Sequence, residues 1–471
     1  MRISTVTTSP GENARRGLNG CEARRDGMPK KDGCILPQIL YFGICEKPKQ
    51  EAENRMQLKT ILNRVQKFKS FVYEKVEWEK IAGRLCLIIQ VVARANSHAV
   101  CSKCGKKGPG YDTLPPRLFE FIPIWNIAVF FAYAVRRVDC KKCGAVLAEK
   151  LPWASGKKTL TTTYMQFLAH WARKLSWKEV AESFQTTWEK VCQSVEYVVD
   201  WGLKHREIGP IFAMGVDEIA YAKGHKYLTL VYQIDDITRL LWVGQERTIE
   251  TFEKFFTMIG PEVSKQIEFV CSDMWQPYLK VIREKCSQAL HILDRFHIVA
   301  KMNEALDDVR AEEARRLKAD GNEVLKKTRW CWLKRKRNLT SNQRFRLRDL
   351  LQLNLKTVRA YLLKEAFQEF WDYHSPLWAG KFLDEWCRQT MRSRIEPMKK
   401  TARMLRKHRD LILNYFKARK VLSSGIVEGL NNKAKVTMRK SYGFRTFRVT
   451  ELALYHSLGK LPEPALTHKF Y

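Results

Sequence analysis

Residues 211–294 constrain the fold more than any other part of the chain, because short apolar runs alternate there with helical spacing. Residues 211–216 form an apolar run that ends at Asp217. A turn at 223–225 leads to residues 227–234, rich in branched and aromatic side chains. Asp235-Asp236 then turns into residues 238–243. Three such runs joined by polar turns predict three consecutive antiparallel strands. After Thr248, the residues Phe252, Phe255, Phe256 and Ile259 recur at helical spacing, and Gly260 is expected to close that helix. Residues 267–271 predict a short strand leading to Ser272 and Asp273. A helix over 278–285 and a strand over 289–293, ending at Asp294, complete the series.

The order β-β-β-α-β-α-β is the ribonuclease H-like plan. In it the first and fourth strands lie side by side, so Asp217 and Asp273 are expected to converge. Glu218 is excluded from the same site, because adjacent strand residues point to opposite faces. A third acid follows a long interruption. Residues 296–419 are helical in pattern throughout, with basic clusters at 334–337, at Arg344, Arg346 and Arg348, and at 399–409. Trp330 and Trp332 flank the first cluster, and aromatics among cations suit a nucleic-acid track. Glu428 then opens a helix on which Asn432, Lys435 and Arg439 share a side, while Val427, Leu430, Ala434 and Met438 form an apolar stripe. Three carboxylates on separate elements can clamp two divalent cations on a phosphodiester.

Charge names the partner. The net charge is +34, from 84 Lys and Arg against 50 Asp and Glu, and a polyanion is its natural counterpart. The apolar stretch 125–135 is about half the length of a spanning helix, so no membrane insertion is expected. Residues 34–45 mimic a signal peptide but start too far in and contain Pro37 and Gln38. Thirteen cysteines in a chain without a leader point to a reducing cytoplasm, with a nucleoid-associated protein expected. Residues 1–55 are expected to be disordered or an extension upstream of the native start, Met56 being an alternative first residue.

Four cysteines form a metal pattern. Cys101-Ser-Lys-Cys104-Gly105 recurs as Cys140-Lys-Lys-Cys143-Gly144. Two such knuckles supply the closed tetrahedral sulfur set of one structural Zn²⁺, in a zinc ribbon. The stretch between them reads as β, with Pro115, Pro116 and Pro123 as punctuation. Next, residues 161–175 predict a helix, Ser176-Trp-Lys-Glu179 a capping-box start, and residues 188–199 a further helix after a turn at 185–187. This helix-turn-helix would bring Thr186, Thr187, Trp188, Lys190 and Gln193 near base edges.

The motifs Met-Gly-Val-Asp217-Glu, Cys-Ser-Asp273-Met-Trp, Leu-Asp-Arg-Phe-His297 and Val-Glu428-Gly-Leu-Asn-Asn-Lys433 resemble those of the DDE transposases of bacterial insertion sequences, specifically the ISL-three family. The resemblance runs from about Met56 to the C-terminus and includes the knuckles and the helix-turn-helix. One departure is the Cys140–Cys143 spacing, shorter than is common there. The resemblance implies a catalytic triad of Asp217, Asp273 and Glu428. It implies two catalytic Mg²⁺ ions, with Mn²⁺ able to substitute, and a nick by water followed by attack of the 3′-hydroxyl on target DNA. Asp294 and His297 are candidates for supporting that site. Lys435 and Arg439 are expected beside the phosphate backbone. Partners would be double-stranded DNA, as terminal repeats and target, and further copies of the chain in a synaptic complex.

The expected organisation is α+β and multidomain. Residues 1–55 are the extension, 56–155 the zinc-binding domain and 156–208 the helix-turn-helix. Residues 209–298 form the first part of the catalytic core, 299–420 a helical insertion, and 421–471 the remainder of the core with the glutamate. Two other readings stay open: a catalytically inert DNA-binding regulator, and a nuclease of the same fold acting on RNA.

Overall fold

The computed structural model describes residues 57–222, 226–419, 425–441 and 443–465. The expectations for residues 1–55 and for the turn at 223–225 fall outside them. Helix α1 (Leu58–Val65) leads into a sheet of β1 (Phe71–Ile81), β2 (Arg84–Ala93), β3 (Gly110–Ile124), β4 (Ile127–Cys140) and β5 (Ala145–Ala148). Its order is β1-β2-β4-β3, with β5 paired to the end of β4. Trp153 is fully buried at its centre, with Phe68, Phe71, Phe119, Phe131 and Tyr133 around the indole. Pro115 and Pro116 do not punctuate this region. They lie inside β3, where the register with β4 shifts. β3 is an edge strand, and an edge tolerates residues that cannot donate to a ladder.

Three helices follow: α2 (Thr162–Lys174), α3 (Trp177–Ser183) and α4 (Trp188–His205). Each start is fixed by a side-chain cap. Thr161 accepts from Tyr164 N–H, Ser176 and Glu179 form a full capping box, and Thr187 accepts from Lys190 N–H. Gln185, at a positive φ of 49°, turns the chain between α3 and α4.

A second sheet contains β6 (Ala213–Ala222), β7 (Lys226–Gln233), β8 (Arg239–Gln245), β9 (Phe269–Ser272) and β10 (Leu290–Leu293), in the order β10-β9-β6-β7-β8. The first three strands are antiparallel, while β9 and β10 run parallel to β6. Helices α5 (Ile249–Lys265) and α6 (Gln276–Lys285) connect them. The helix that starts at Ile249 closes at Gly260, which adopts a non-helical φ of +76° as expected, and Pro261 opens a second short helical segment that runs to Lys265.

The remaining chain is helical: α7 (Arg295–Ala319), α8 (Arg329–Leu333), α9 (Ser341–Leu351), α10 (Lys356–Gln368), α11 (Pro376–Arg392), α12 (Glu396–Lys407) and α13 (Arg409–Lys417). These share one core around Trp332, Tyr361, Phe367 and Phe370. The chain then returns to the second sheet through α14 (Gly425–Lys440) and α15 (Phe447–Leu458). The two faces of that sheet are covered differently. Ala213 and Ile219 pack with α2–α4, α14 and α15, whereas Met214 and Val216 pack with α5 and α6. Alternation along β6 thus decides which helices each side chain meets.

The helical segment is tied to the sheet at β10, where the Asn414 amide donates to the His291 carbonyl at 2.8 Å. The His291 ring is buried and shares a 2.7 Å hydrogen bond with the Ser272 hydroxyl. Burial pushes its pKa down to about 4. An unfolded chain binds that proton near 6.5, so between the two values the unfolded state holds more protons and stability rises with pH. His456, also buried and shifted down, acts in the same direction. We expect His291 to cost about 3 kcal/mol of stability as pH falls from about 6.5 to 4. Denaturant titrations across that window check this, and a His291→Gln variant should have the shallower pH slope.

Candidate active site and cysteine centre

Strand register brings the aspartates together. Ala213 lies opposite Phe269 and Gly215 opposite Cys271, so two further steps set Asp217 level with Asp273. On the other side of β9, Ser272 lies opposite Leu293, and one further step sets Asp273 level with Asp294. Asp217 therefore stands level with Asp273 and Asp294, which directly follow the carboxyl ends of β9 and β10, but it lies within β6 rather than at its end, because that strand runs on to Ala222. Burial pushes the Asp217 carboxyl up, and neighbouring Asp294 and Asp273 add to this while His297 opposes it. Asp294 also caps α7, accepting from Phe296 N–H at 2.6 Å, and its carboxylate lies 3.7 Å from the His297 ring.

The two acids of β6 point to opposite faces of the sheet, yet both feel the charge of Asp273. Asp217 faces α14: its Oδ2 accepts from the Asn431 amide at 2.5 Å, and its Oδ1 accepts from Glu218 N–H at 2.7 Å. Glu218 faces α5 and α6, where it pairs with Arg247. The Arg247 guanidinium stacks 4.1 Å from the Trp275 ring centroid and lies 3.6 Å from Asp273 Oδ2. Burial raises Glu218 to about 7 in spite of that partner. Asp273 itself is buried, and its Oδ1 accepts from Trp275 N–H at 3.0 Å.

Among the described residues only a cysteine set gathers three or more ligand atoms within 4.8 Å of one another, so no acidic trio is closed, and Glu428 is exposed on the first turn of α14. Its helix is nevertheless locked onto β6. Val427 is buried over Gly215, where an added Cβ would come 2.4 Å from Val427 Cγ2. Gly215 is therefore a notch for the helix that carries Glu428. We expect Gly215→Ala to cost about 1–3 kcal/mol by overpacking and to weaken any chemistry that needs α14 in place. Adding Val427→Ala should recover part of both losses. Denaturation midpoints of the singles and the double check this, since additive losses would mean that the two positions do not meet.

Sequence reasoning missed Asn431 and Arg247. Asn431 falls inside the apolar stripe between Val427 and Ala434, and an amide at such a position signals a buried partner. Arg247 had no local signal, since the acids it meets come from other elements. Among the expected nucleic-acid contacts, Thr187, Trp188, Gln193, Lys435 and Arg439 are exposed, whereas Thr186 is half-buried. Lys190 is committed within the fold, pairing with Glu120 of β3 at 2.5 Å.

The cysteine centre closes well. Cys101, Cys104, Cys140 and Cys143 bring all four sulfurs within 4.8 Å of one another. Both knuckles have the same turn: Gly105 N–H donates to the Cys101 carbonyl and Gly144 N–H to the Cys140 carbonyl, each at 2.9 Å. The two glycines adopt φ +70° and +64°, a conformation costly for other residues. The Cys104 amide is the main influence that brings the Cys101 thiol down to about 7. Four convergent sulfurs can hold one tetrahedral cation with no open position.

A family model described as transposase, the ISL3 type of the DDE class, matches residues 214–454. The transposase of insertion sequence element IS1001 from Bordetella parapertussis is 30% identical over 377 residues, 79% of this chain and 91% of the relative. The transposase of element IS1557 from Mycobacterium tuberculosis is 28% identical over 419 residues, 80% of this chain and 90% of the relative. A solved Drosophila P element transposase strand transfer complex aligns over 64% of this chain and 92% of its own, with 9% identity and a TM-score of 0.35.

Proposed function

The chain belongs to the ISL3-type DDE transposases, and from that premise we propose that Asp217, Asp273 and Glu428 hold two Mg²⁺ ions and cut and join the DNA at the ends of an insertion sequence. The observation that carries this reading is the level placement of Asp217 and Asp273 on neighbouring parallel strands, with the helix of Glu428 docked over the first of them. The residues suit hard cations. Asp217 and Asp273 crowd negative charge into a partly desolvated edge, and Arg247 offsets it on one flank only. Each Asp217 oxygen accepts a single protein hydrogen bond, which leaves lone pairs on both. Bound divalent cations would activate the attacking oxygen and stabilise the leaving one.

The protein's own residues supply the rest. Asp217 would serve both cations, with Asp273 on one side and Glu428 on the other. Glu428 completes the set from α14, so the site becomes competent when its side chain turns from solvent toward the strand ends. Lys435 and Arg439, exposed along the same helix, would lie along the phosphate backbone. In this reading the second sheet is a ribonuclease H-like core, interrupted before the glutamate by the all-helical segment. Helices α2–α4 are a helix-turn-helix in which Thr187, Trp188 and Gln193 are free to meet a groove. The first sheet carries a zinc ribbon at its cysteine end. Element ends come in pairs, so two copies would act together on them.

The test is strand nicking of duplex DNA carrying the element ends, with and without Mg²⁺ or Mn²⁺, beside an RNA–DNA hybrid of the same sequence. We expect metal-dependent nicks at the duplex ends that leave 3′-hydroxyls. Binding without nicking would leave the inert regulator, and preference for the hybrid would leave the RNA-acting nuclease. Side chains cannot read the deep major groove of A-form nucleic acid, which favours duplex DNA for a helix-turn-helix.

A further inference from the structure

We propose that Asn431 is a positioning residue for Asp217, held in its working orientation by the Tyr232 hydroxyl. The inference rests on the reading of Asp217 as a metal ligand. Asn431 is buried at 4% exposure on the apolar side of α14. An amide there is costly unless both its ends are paired. Both are: Tyr232 O–H donates to Asn431 Oδ1 at 2.7 Å, and Asn431 Nδ2 donates to Asp217 Oδ2 at 2.5 Å. Tyr232 is itself fully buried and stands on β7 opposite Gly215, so its hydroxyl is fixed by the sheet.

The relay has a direction. A flipped amide would set its oxygen against the Asp217 carboxylate, acceptor against acceptor. Tyr232 donating to Oδ1 and Asp217 accepting from Nδ2 select the same orientation from opposite ends. Asp217 is then gripped at both oxygens, by Asn431 and by Glu218 N–H, and its carboxylate plane is set before any cation arrives. Groups that orient a ligand in this way typically contribute 10- to 100-fold in metal affinity or activity. Asn431 also lies one turn beyond Glu428 on α14. The same hydrogen bond therefore tethers the helix of the third acid to the strand of the first.

Nicking of element-end DNA as a function of Mg²⁺ concentration tests the relay in the parent, Asn431→Ala and Tyr232→Phe, with melting temperature and DNA affinity measured alongside. Asn431→Ala should raise the half-saturating Mg²⁺ concentration by roughly 10- to 100-fold, with the DNA concentration dependence unchanged. Tyr232→Phe should shift it the same way by less, because Asn431 remains but loses its orienting partner. A purely structural role would lower the melting temperature and leave the Mg²⁺ dependence where it was, and that result overturns the inference. Should Asn431→Ala fail to fold, Tyr232→Phe decides by the same criterion. A parent that never nicks at any metal concentration would refute the reading of Asp217 as a ligand, and the relay with it.

Discussion

Asp217→Asn should lower metal-dependent strand nicking by at least about 10³-fold, equivalent to about 4 kcal/mol of transition-state stabilisation. The substitution keeps the size of the side chain and its place opposite Leu230 on β7, so the fold should hold. What it removes is a negative charge beside Asp273, where a cation would otherwise be held. DNA affinity should stay within about 2-fold, because the exposed cations and α4 are untouched. Asp273→Asn should behave alike. Glu218→Gln is the discriminating control. Glu218 lies on the opposite face of β6 and meets Asp273 only through Arg247, so the neutral analogue should cost far less than Asp217→Asn. Gel assays of nicking and binding on one substrate separate these outcomes. Full activity in Asp217→Asn, or an equal loss in Glu218→Gln, would move the chemistry elsewhere.

Removing the metal from the four-cysteine centre should have the second large effect. Structural Zn²⁺ sites in finger peptides contribute about 10–16 kcal/mol of apparent binding free energy at neutral pH, and that energy is folding energy. Here the knuckles join the end of β4 to β5 and to the loop before β3. A chelator, or Cys104→Ser with Cys140→Ser, should therefore unfold that end of the sheet. The aromatic core around Trp153 lies on the side chains of β1–β4 and needs no metal. Loss should thus be local: amide protection over residues 99–110 and 138–149 should collapse while that around Phe131 persists. Metal analysis of the purified protein should return one Zn²⁺ per chain. A folded protein without metal, or one indifferent to chelator, would refute the site.

Local signals were the legible ones. The capping box at Ser176, the paired knuckles with their glycines, and the apolar runs of the second sheet are all set within a few residues, and they appear where the sequence placed them. Reading failed where tertiary context decides. The prolines of β3 are tolerated because that strand is an edge, which no local pattern reveals. Within the site, register could bring Asp217 and Asp273 together from strand order alone. Where Glu428 stands depends on how α14 docks, and that depends on Val427 meeting a glycine on a distant strand. Asn431 was hidden for the same reason. Its neighbour Asn432 shares the exposed side with Glu428, and spacing alone favoured that amide over the buried one that meets Asp217.

The Gly215 notch and the Asn431 hydrogen bond also bear on the order in which the protein is made. Ribosomes deliver β6, β9 and their aspartates well before α14 is translated. The sheet can begin to assemble during synthesis, but through the whole helical segment it lacks Val427, Glu428 and Asn431. A nascent chain, or a product truncated by a stop codon anywhere in that segment, is therefore expected to leave the proposed site without its third acid. If the proposed site is right, cutting ability would arrive only with the last stretch of polypeptide, and fragments ending before α14 should fail to nick DNA.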